Sequence, residues 1–345
     1  MRREFEIIAG SGNPPLAQTV GTCLGKEVTF PVTRFGDGEA KIKIAPNLRG
    51  RDVVIFQASS PPNGDHHVTE VLLMLDAARR ASAEGRTLVW THYPYGRQDR
   101  KDEARVAVSA ALLAQIYEFA GADRLLTVDL HAEQTQGATR IPWDNLFASF
   151  CLVPVLRNFL KLNNPDNLRD LVVVAPDMGD AKRAGKYAKL LGADKVAIVN
   201  KDRDPITGQS KALTLVGDIK GKVALLTDDE IAGGGTLVDA AELLIKNGAS
   251  AVYAAVTHGK FLRDFERNTD ALKLLSDSPV ERIFVTDTIL HRNEVENHPK
   301  ITVVSVAPLL AEAIRRIHVG ESLSKGLDSL FLDNSKSSTN IDGRQ

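Results

Sequence analysis

The sequence predicts an α/β fold in which mostly parallel sheets are flanked by helices, and three observations support this prediction. Short β-branched runs recur over the whole length of 345 residues. These runs are continuously apolar rather than alternating, as expected for strands that are covered on both faces. Stretches of helical character, such as 66–85 and 237–248, lie between the runs, and strands that alternate with helices form mostly parallel sheets.

The strand-like runs follow one another along the whole chain. In order, they are residues 5–10, 52–57, 87–90, 124–130, 171–176, 195–200, 222–228, 251–257, 282–288 and 301–306. A Gly-Ala pair precedes the runs that follow Gly121, Gly192 and Gly248. Glycine is common at helix C-termini, so this repeat indicates two similar halves only weakly.

The length corresponds to two domains of ~150 residues each. We place an N-terminal α/β domain at 1–150 and a C-terminal α/β domain at 151–306, because a new helix begins near residue 150. The apolar spacing over 307–318 predicts a last helix that can fold back on either half, and so can join the N-terminal domain. The polar tail 333–345 has nothing to bury and is expected to be disordered.

Composition and charge indicate an ordinary soluble globular protein. A net charge of −1 gives no bulk electrostatic reason to expect a nucleic acid or a membrane surface as partner. The two cysteines form neither a disulfide framework nor a CxxC metal pattern. No apolar run approaches the ~20 residues of a membrane span, and no signal peptide precedes the first strand. We therefore expect a cytoplasmic protein.

The first candidate site is the segment 228–236, which reads DDEIAGGGT and lies between a buried run and a helix. Backbone N–H groups and a helix N-terminus in this arrangement receive a phosphate. Asp228 and Asp229 suit sugar hydroxyls or a hydrated Mg²⁺. The alternative is a glycine-rich turn with a solvated acidic entry. The position at the carboxyl end of a strand favours a ligand site, and the lack of a Gly-Lys-[Ser/Thr] run excludes a Walker P-loop.

The second candidate site follows the strand-like run 87–90. Arg97, Arg100 and Lys101 place three cations within five residues, which is enough to hold a polyphosphate. Tyr93 and Tyr95 can pack on a base. The alternative is a charged face that only contacts water. Its position after a buried strand and beside two tyrosines favours the ligand site.

Two further pairs of residues can take part in phosphate chemistry. His131 and Asp177 each follow a strand-like run, one in each half, and can converge on one Mg²⁺. Imidazole is an unusual ligand for so hard an ion, so a structural histidine remains an alternative. Lys201 and Arg203 lead into a polar stretch that resembles a mobile loop, and they can close over transferring phosphates.

The four clusters, in this order, resemble the ribose-phosphate diphosphokinase family, the phosphoribosyl pyrophosphate synthetases. The resemblance runs from Ser11 to Ser324. It is carried by FGDGEAKIKI (35–44), RGRDVVIFQ (49–57), RQDRKD (97–102), VSA (108–110), DLHAEQTQG (129–137), PWDNL (142–146), PDMGDAKRA (176–184) and THG (257–259). It implies two similar phosphoribosyltransferase-like domains, each a mostly parallel sheet flanked by helices. It also implies Mg²⁺-dependent transfer of the β,γ-diphosphoryl group of ATP to the 1-hydroxyl of ribose 5-phosphate, which releases AMP.

The resemblance also implies a role for each candidate residue. The ribose-5-phosphate site is Asp228, Asp229, Gly233, Gly234, Gly235 and Thr236. The ATP site is Phe35, Asp37, Glu39, Arg97, Gln98, Asp99, Arg100 and Lys101. Lys201 and Arg203 are the catalytic cations, and His131 and Asp177 bind Mg²⁺. Because Phe35, Asp37 and Glu39 match a segment that reaches the adenine from a neighbouring subunit, a homo-oligomer is implied, built from dimers and typically a hexamer.

The chain departs from the family pattern at three positions that bear on activity. Ala232 replaces an acid and Gly233 replaces a threonine in the sugar-phosphate loop, and Asp180 stands where a glycine is usual. These departures keep open a non-catalytic regulatory subunit of a synthetase assembly. A phosphoribosyltransferase is a further alternative, which the two-half length and the RQDRK segment disfavour. Control by phosphate or ADP stays open.

Overall fold

The structure, a computed structural model, describes residues 4–163, 168, 170–203, 210–264, 269–324 and 326–327. Its strands are β1 Phe5–Ala9, β2 Val28–Thr29, β3 Val32–Arg34, β4 Ala40–Ile42, β5 Asp52–Gln57, β6 Gly85–Trp90, β7 Arg124–Val128, β8 Trp143–Leu146, β9 Leu171–Ala175, β10 Lys195–Arg203, β11 Ser210–Val216, β12 Val223–Ile231, β13 Ala251–Gly259, β14 Arg263–Asp264, β15 Thr269–Asp270, β16 Arg282–Thr286 and β17 Ile301–Val304.

Helices connect these strands. They are α1 Pro14–Leu24, α2 Gly64–Arg80, α3 Ser109–Ala120, α4 Ser149–Asn163, α5 Ala181–Leu191, α6 Gly235–Lys246, α7 Ala271–Asp277, α8 Asn293–Glu296 and α9 Ala307–Val319, with a 3₁₀ turn at Glu133–Ala138. Among the described residues, no helix is both long and apolar enough to cross a membrane. The predicted tail 333–345 lies outside the described residues.

The chain divides into two compact units. The first unit contains the described residues up to Ala148, together with Asp287–His291 and Ser305–Val319. The second unit contains Ser149–Thr286, Arg292–Val304 and the described residues from Gly320 onward. The last helix, α9, is therefore part of the first unit, where it packs against α1.

The first unit is built around a six-stranded sheet in the order β2-β1-β5-β6-β7-β8, in which every neighbouring pair is parallel. Beside this sheet, β3 and β4 form a separate antiparallel hairpin. The core lies between the sheet and the helices α2 and α3. It contains buried side chains such as Ile55, Leu88, Met74 and Tyr117.

The second unit contains a seven-stranded sheet in the order β11-β10-β9-β12-β13-β16-β17. The pairs are parallel except for β10 with β11, which are antiparallel. Its core joins the sheet to α6 and α7 through residues such as Val174, Leu226, Leu244 and Leu275. Mostly parallel sheets flanked by helices therefore confirm the fold class predicted from the sequence.

The two sheets share one strand order. In the first, the earliest strand, β1, lies between β2 and β5, and β6, β7 and β8 follow outward. In the second, the earliest strand, β9, lies between β10 and β12, and β13, β16 and β17 follow outward, with β11 added beyond β10. The order of each sheet thus reverses at its earliest strand, and ligands of α/β proteins bind beside such a reversal, at the carboxyl ends of the strands.

The ends of several elements differ from the sequence prediction, and two of these differences have a clear physical cause. The helical stretch predicted to reach residue 85 ends at Arg80, because Ser82 turns into the left-handed region at φ 62° and Gly85 already pairs with Asp52 in the sheet. The run predicted to end at residue 200 continues through Arg203, because β11 pairs with it in antiparallel fashion. The backbone of Lys201 and Arg203 is therefore strand, while their side chains lie outside the described residues.

Candidate functional site

The segment 228–236, which is predicted to bind the sugar phosphate, begins inside a strand rather than after it. β12 runs to Ile231, so Asp228 and Asp229 lie within the strand, close to its C-terminal end. The helix α6 begins at Gly235, and Gly234 before it has φ 81°, a left-handed conformation that favours glycine. A Cβ added at Gly233 or Gly235 would meet no atom within 4 Å. The turn therefore presents backbone beside open space at a helix N-terminus, as phosphate binding requires.

The backbone of this turn is also fastened from outside the helix. Lys260 N donates to Ile231 O at 2.8 Å, and Leu262 N donates to Ala232 O at 2.9 Å. Lys260 Nζ lies 2.8 Å from Glu230 Oε2, and the Glu230 side chain is buried. The segment after β13 thus helps to determine where the glycine turn lies, and no local pattern predicts this pairing.

Three carboxylates meet beside the turn. Asp180, Asp228 and Asp229 each offer an oxygen within 4.8 Å of the others. They come from the loop after β9 and from β12, the two strands at which the sheet order reverses. Burial, and then the charges of Asp229 and Asp180, raise the pKa of the Asp228 carboxyl well above its usual range. The site therefore concentrates three acidic groups, and Asp228 keeps its proton to a higher pH than an ordinary carboxyl does.

Asp180 faces this cluster rather than away from it. Its Oδ1 lies 3.0 Å from Nε of Arg183, one turn along α5. Burial raises the pKa of the Asp180 carboxyl, and the Arg183 charge opposes that increase. Arg183 therefore compensates part of the charge that the departure from glycine introduces.

Asp177 shapes the turn between β9 and α5. Its Oδ1 accepts hydrogen bonds from Gly179 N at 2.7 Å and from Asp180 N at 3.2 Å. Its side chain is exposed. His131 belongs to the first unit and Asp177 to the second, so their convergence on one Mg²⁺ stays a prediction.

His131 and the basic segment are neighbours in the first unit. A Cβ added at Gly96 would lie 3.6 Å from the Cβ of His131. The cations Arg97, Arg100 and Lys101 are all exposed. The structure therefore brings the histidine to the start of the predicted polyphosphate segment.

Hydrogen bonds hold the same segment in place. Gln98 Oε1 accepts from Ser109 Oγ at 2.6 Å, and Gln98 O accepts from Ala110 N at 3.1 Å. Asp99 Oδ2 accepts from Gln134 Nε2 at 3.3 Å. Gln98 and Asp99 thus fix the backbone that carries the cations.

The two tyrosines of this segment have different surroundings. Tyr93 is buried, its hydroxyl donates to Ala110 O at 2.9 Å, and its ring packs on Trp143. The suggestion that it packs on a base is therefore wrong, because it is a core residue. Tyr95 is 40% exposed and its hydroxyl donates to Asp65.

The predicted ATP site also includes the turn between β3 and β4. Phe35 is 52% exposed, and Lys41 Nζ lies 5.5 Å from the centroid of its ring. Asp37 Oδ1 accepts from Glu39 N at 3.0 Å and stabilises the turn. Sequence reasoning missed Arg34, the last residue of β3, and Glu70 of α2, with which it forms an ion pair. The signal for Glu70 was a carboxylate among the apolar residues of the helix 66–85.

Comparison with known sequences places these features in one family. A family model for the N-terminal domain of ribose phosphate pyrophosphokinase matches residues 5–121, and one for the phosphoribosyl synthetase-associated domain matches residues 199–328. A ribose-phosphate pyrophosphokinase of Maricaulis maris is 41% identical over 325 residues, which are 94% of this chain and 100% of that protein. Ribose-phosphate pyrophosphokinase A of Dictyostelium discoideum is 39% identical over 337 residues, 96% of this chain and 99% of that protein.

A solved structure supports the same assignment. The phosphoribosylpyrophosphate synthetase of Mycobacterium smegmatis matches with a TM-score of 0.82 and 34% identity, over 92% of this chain and 100% of that chain. The resemblance drawn from the sequence motifs is thereby confirmed. The chain belongs to the ribose-phosphate pyrophosphokinase family.

Proposed function

We propose that the chain makes 5-phosphoribosyl 1-diphosphate from ATP and ribose 5-phosphate and releases AMP. The observation that carries this proposal is the end of β12, where Asp228 and Asp229 precede an open glycine turn at the N-terminus of α6. This point lies at the reversal of the strand order, where α/β sheets bind ligands. The chain also matches relatives of the corresponding name over 94% of its length.

The second unit binds the sugar phosphate. The carboxylates of Asp228 and Asp229 accept hydrogen bonds from the ribose hydroxyls. The backbone N–H groups of 233–236 donate to the 5-phosphate, and the positive end of the α6 dipole favours its charge. The hydroxyl of Thr236 donates one further hydrogen bond.

The reaction joins the sugar to the diphosphoryl group. The oxygen on C1 of ribose attacks the β-phosphorus of ATP, and the bond from that phosphorus to the oxygen bridging the α-phosphate breaks. AMP leaves with the bridging oxygen, and the proton of the 1-hydroxyl passes to solvent. Arg97, Arg100 and Lys101 supply countercharge to the polyphosphate, and Lys201 with Arg203 stabilises the transferring group.

The adenine and the backbone of the phosphate segment need other residues. Phe35, Asp37 and Glu39 contact the adenine that is bound by a neighbouring subunit. Gln98 with Asp99 holds the phosphate segment. The exposure of Phe35 supports this role, because a ring that contacts a ligand cannot be part of the core.

Mg²⁺ is proposed to bind at His131 and Asp177. Both side chains are exposed on loops that follow the carboxyl ends of β7 and β9. The carboxylate of Asp177 offers the hard oxygen that Mg²⁺ prefers, whereas the imidazole of His131 is a weaker match. When bound, Mg²⁺ would offset the negative charge of the polyphosphate. Chelation with EDTA is therefore expected to abolish turnover, and excess Mg²⁺ is expected to restore it.

The oligomeric state and the cellular compartment are proposed from the similarity to the ribose-phosphate pyrophosphokinase family. We expect a homo-oligomer built from dimers, a hexamer in its final form, and a cytoplasmic location. Sedimentation velocity of the purified chain tests the assembly. A monomer at concentrations that support full activity would contradict it.

The decisive experiment measures AMP formation by the purified chain with Mg²⁺, ATP and ribose 5-phosphate. We expect AMP and 5-phosphoribosyl 1-diphosphate in equal amounts, with no AMP when ribose 5-phosphate is omitted. Absence of turnover would instead support a non-catalytic subunit, which the departures at Ala232, Gly233 and Asp180 allow. Consumption of 5-phosphoribosyl 1-diphosphate with a nucleobase, without ATP, would indicate a phosphoribosyltransferase.

The proposed catalytic cations need a separate experiment. Lys201→Ala and Arg203→Ala are expected to lower kcat much more than they raise the Kd of ATP, because their charge stabilises the transferring group rather than the bound nucleotide. A loss confined to ATP affinity would show that this pair only binds.

A further inference from the structure

The hairpin of β3 and β4 is tied to the interior of the first unit by two side chains. Arg34 is the last residue of β3, and Glu70 lies in α2. Arg34 Nη2 lies 2.5 Å from Glu70 Oε1, and the Glu70 side chain is fully buried while that of Arg34 is 35% exposed. The pair therefore links an exposed hairpin to a group that does not contact water.

Glu70 is held in place by residues outside the hairpin. Its carboxylate accepts hydrogen bonds from Ser11 N at 2.9 Å, from Ser11 Oγ at 2.8 Å and from Gln57 Nε2 at 3.0 Å. A buried carboxylate is costly unless it is paired and hydrogen-bonded, and these donors satisfy that requirement together with Arg34. The position of Glu70 therefore depends on the body of the unit, and the hairpin must conform to it.

These donors lie where the order of the first sheet reverses. Ser11 follows β1, and Gln57 ends β5, the two strands on either side of the reversal. Gln57 Oε1 also accepts from Gly12 N at 2.8 Å. The place that a ligand takes in many α/β sheets is thus occupied in the first unit by protein side chains, which hold Glu70 rigidly.

Arg34 also contacts the turn between β3 and β4, and so fixes the turn relative to Glu70. Its Nη1 donates to Gly38 O at 3.1 Å. Within the turn, Phe35 N donates to Glu39 O at 2.9 Å and Gly38 N donates to Phe35 O at 3.0 Å. A guanidinium is planar and presents its donors in a fixed fork, so one side chain fixes both the carboxylate and the turn carbonyl.

The hairpin has little else to fix its turn. β3 and β4 are three residues each and pair only with one another among the described strands. A two-stranded hairpin is at best marginally stable without further packing. Ile42 and Ile44 pack against the core at the base of the hairpin, whereas the turn 35–39 is exposed throughout.

We propose that Arg34 and Glu70 are positioning residues that set the 35–39 turn for ATP. This inference rests on the proposed function, in which Phe35, Asp37 and Glu39 contact the adenine. Removing the tie leaves the chemical groups of the turn intact but lets the turn depart from its binding position. ATP affinity therefore falls, while ribose-5-phosphate affinity and the chemical step are retained.

The experiment compares Arg34→Gln, Arg34→Lys and Glu70→Gln with the unsubstituted chain. Initial rates of AMP formation give kcat and the KM of each substrate, and calorimetric titration with a non-hydrolysable ATP analogue gives its Kd. We expect Arg34→Gln to raise the KM and Kd for nucleotide about tenfold, the loss expected for a hydrogen bond to a charged group. Arg34→Lys keeps the positive charge but lacks the planar fork of donors. Its KM and Kd for nucleotide are expected to lie between those of Arg34→Gln and of the unsubstituted chain.

Arg80→Gln is the matched control, because Arg80 is an exposed arginine paired with Asp76 within α2. It is expected to leave both KM values unchanged. The double variant Arg34→Gln/Glu70→Gln is expected to bind nucleotide no worse than Arg34→Gln, because Glu70 affects the turn through Arg34. Circular dichroism and thermal melting establish that each variant is folded.

The outcomes separate this inference from the proposed function. An unchanged nucleotide KM and Kd in a folded Arg34→Gln overturns the inference, even when the unsubstituted chain forms AMP. An equal rise of both substrate KM values also overturns it, because that indicates a general loss of structure. If the unsubstituted chain forms no AMP, the proposed function fails, and the Kd of the ATP analogue still tests the role of Arg34.

Discussion

Lys260 Nζ lies 2.8 Å from Oε2 of Glu230, and this ion pair fastens the end of β12 beside the glycine turn. The side chains are 21% and 5% exposed, respectively. We expect Lys260→Met to lower the free energy of unfolding by about 3 kcal/mol, because the buried carboxylate loses its cation. Urea denaturation followed by circular dichroism measures the loss.

Lys222→Met provides the comparison for this substitution. Lys222 pairs with Asp170 in the same unit, but Asp170 is 49% exposed. An exposed pair contributes at most about 1 kcal/mol. Equal losses in the two variants would contradict the role given to the buried pair.

Two glycine substitutions are expected to have opposite effects. Gly234→Ala should lower stability by roughly 1–2 kcal/mol, because an L residue at φ 81° is strained. Gly185→Ala should raise it by about 0.5–1 kcal/mol, because Gly185 lies within α5 and an added Cβ meets no atom within 4 Å. Thermal melting of both variants checks the signs, and a stabilising Gly234→Ala would contradict the strained conformation.

Gly233→Thr tests whether a hydroxyl at this position of the turn would strengthen the binding of ribose 5-phosphate. An added Cβ at this position meets no atom within 4 Å, so the threonine fits. One hydrogen bond to a phosphate is worth about 1 kcal/mol, so the KM of ribose 5-phosphate should fall about fivefold. Gly233→Val adds similar bulk without the hydroxyl and is expected to give no such decrease. Equal effects of the two substitutions would contradict the explanation.

Asp180→Asn tests the extra carboxylate of the site. Asp180, Asp228 and Asp229 lie within 4.8 Å of one another, and like charges repel a phosphorylated substrate. We expect the KM of ribose 5-phosphate to stay equal or fall, with kcat retained. Asp194→Asn, an exposed substitution in the same unit, controls for the change in net charge. A collapse of turnover confined to Asp180→Asn would show that the chain has recruited this carboxylate for activity.

His67 predicts a pH dependence of stability. Burial lowers the pKa of His67 from 6.5, and the charges of His66 and Arg34 lower it further while Glu70 raises it. Because the folded pKa lies below the unfolded one, the unfolded state binds the proton more tightly. The stabilisation is therefore present above the unfolded pKa and is lost as the pH falls through the folded pKa.

His67→Gln should remove part of the stability loss that accompanies a fall in pH. Urea unfolding at about pH 7.5 and about pH 5.5 brackets the titration of an ordinary histidine. The unsubstituted chain should lose more stability between these values than His67→Gln does. His66→Gln is the control, because His66 is the exposed neighbour and should retain most of the loss. Identical behaviour of the two variants would contradict the assignment to His67.

Most strands of the two large sheets followed from local pattern, because a buried parallel strand is a short continuous apolar run. β9 shows this well, since all five of its residues are apolar and buried. β8 shows the limit, because Trp143–Leu146 holds no β-branched residue and becomes a strand only by pairing with β7. The extension of β10 through Arg203 likewise depends on β11. Local propensity cannot report a partner that is distant in sequence.

Some features of the candidate site could likewise be predicted from the sequence, and others could not. Asp228, Asp229 and the glycines after them are recognisable in the printed sequence, because phosphate and sugar chemistry requires those residue types close together. The contacts that hold them, such as Lys260 with Glu230 and Arg34 with Glu70, join residues 30 or more positions apart. Fold class and the chemistry of each segment were thus readable along the chain. The shared strand order, the core position of Tyr93 and the tie between Arg34 and Glu70 arose only in three dimensions, because packing selects contacts that no local periodicity encodes.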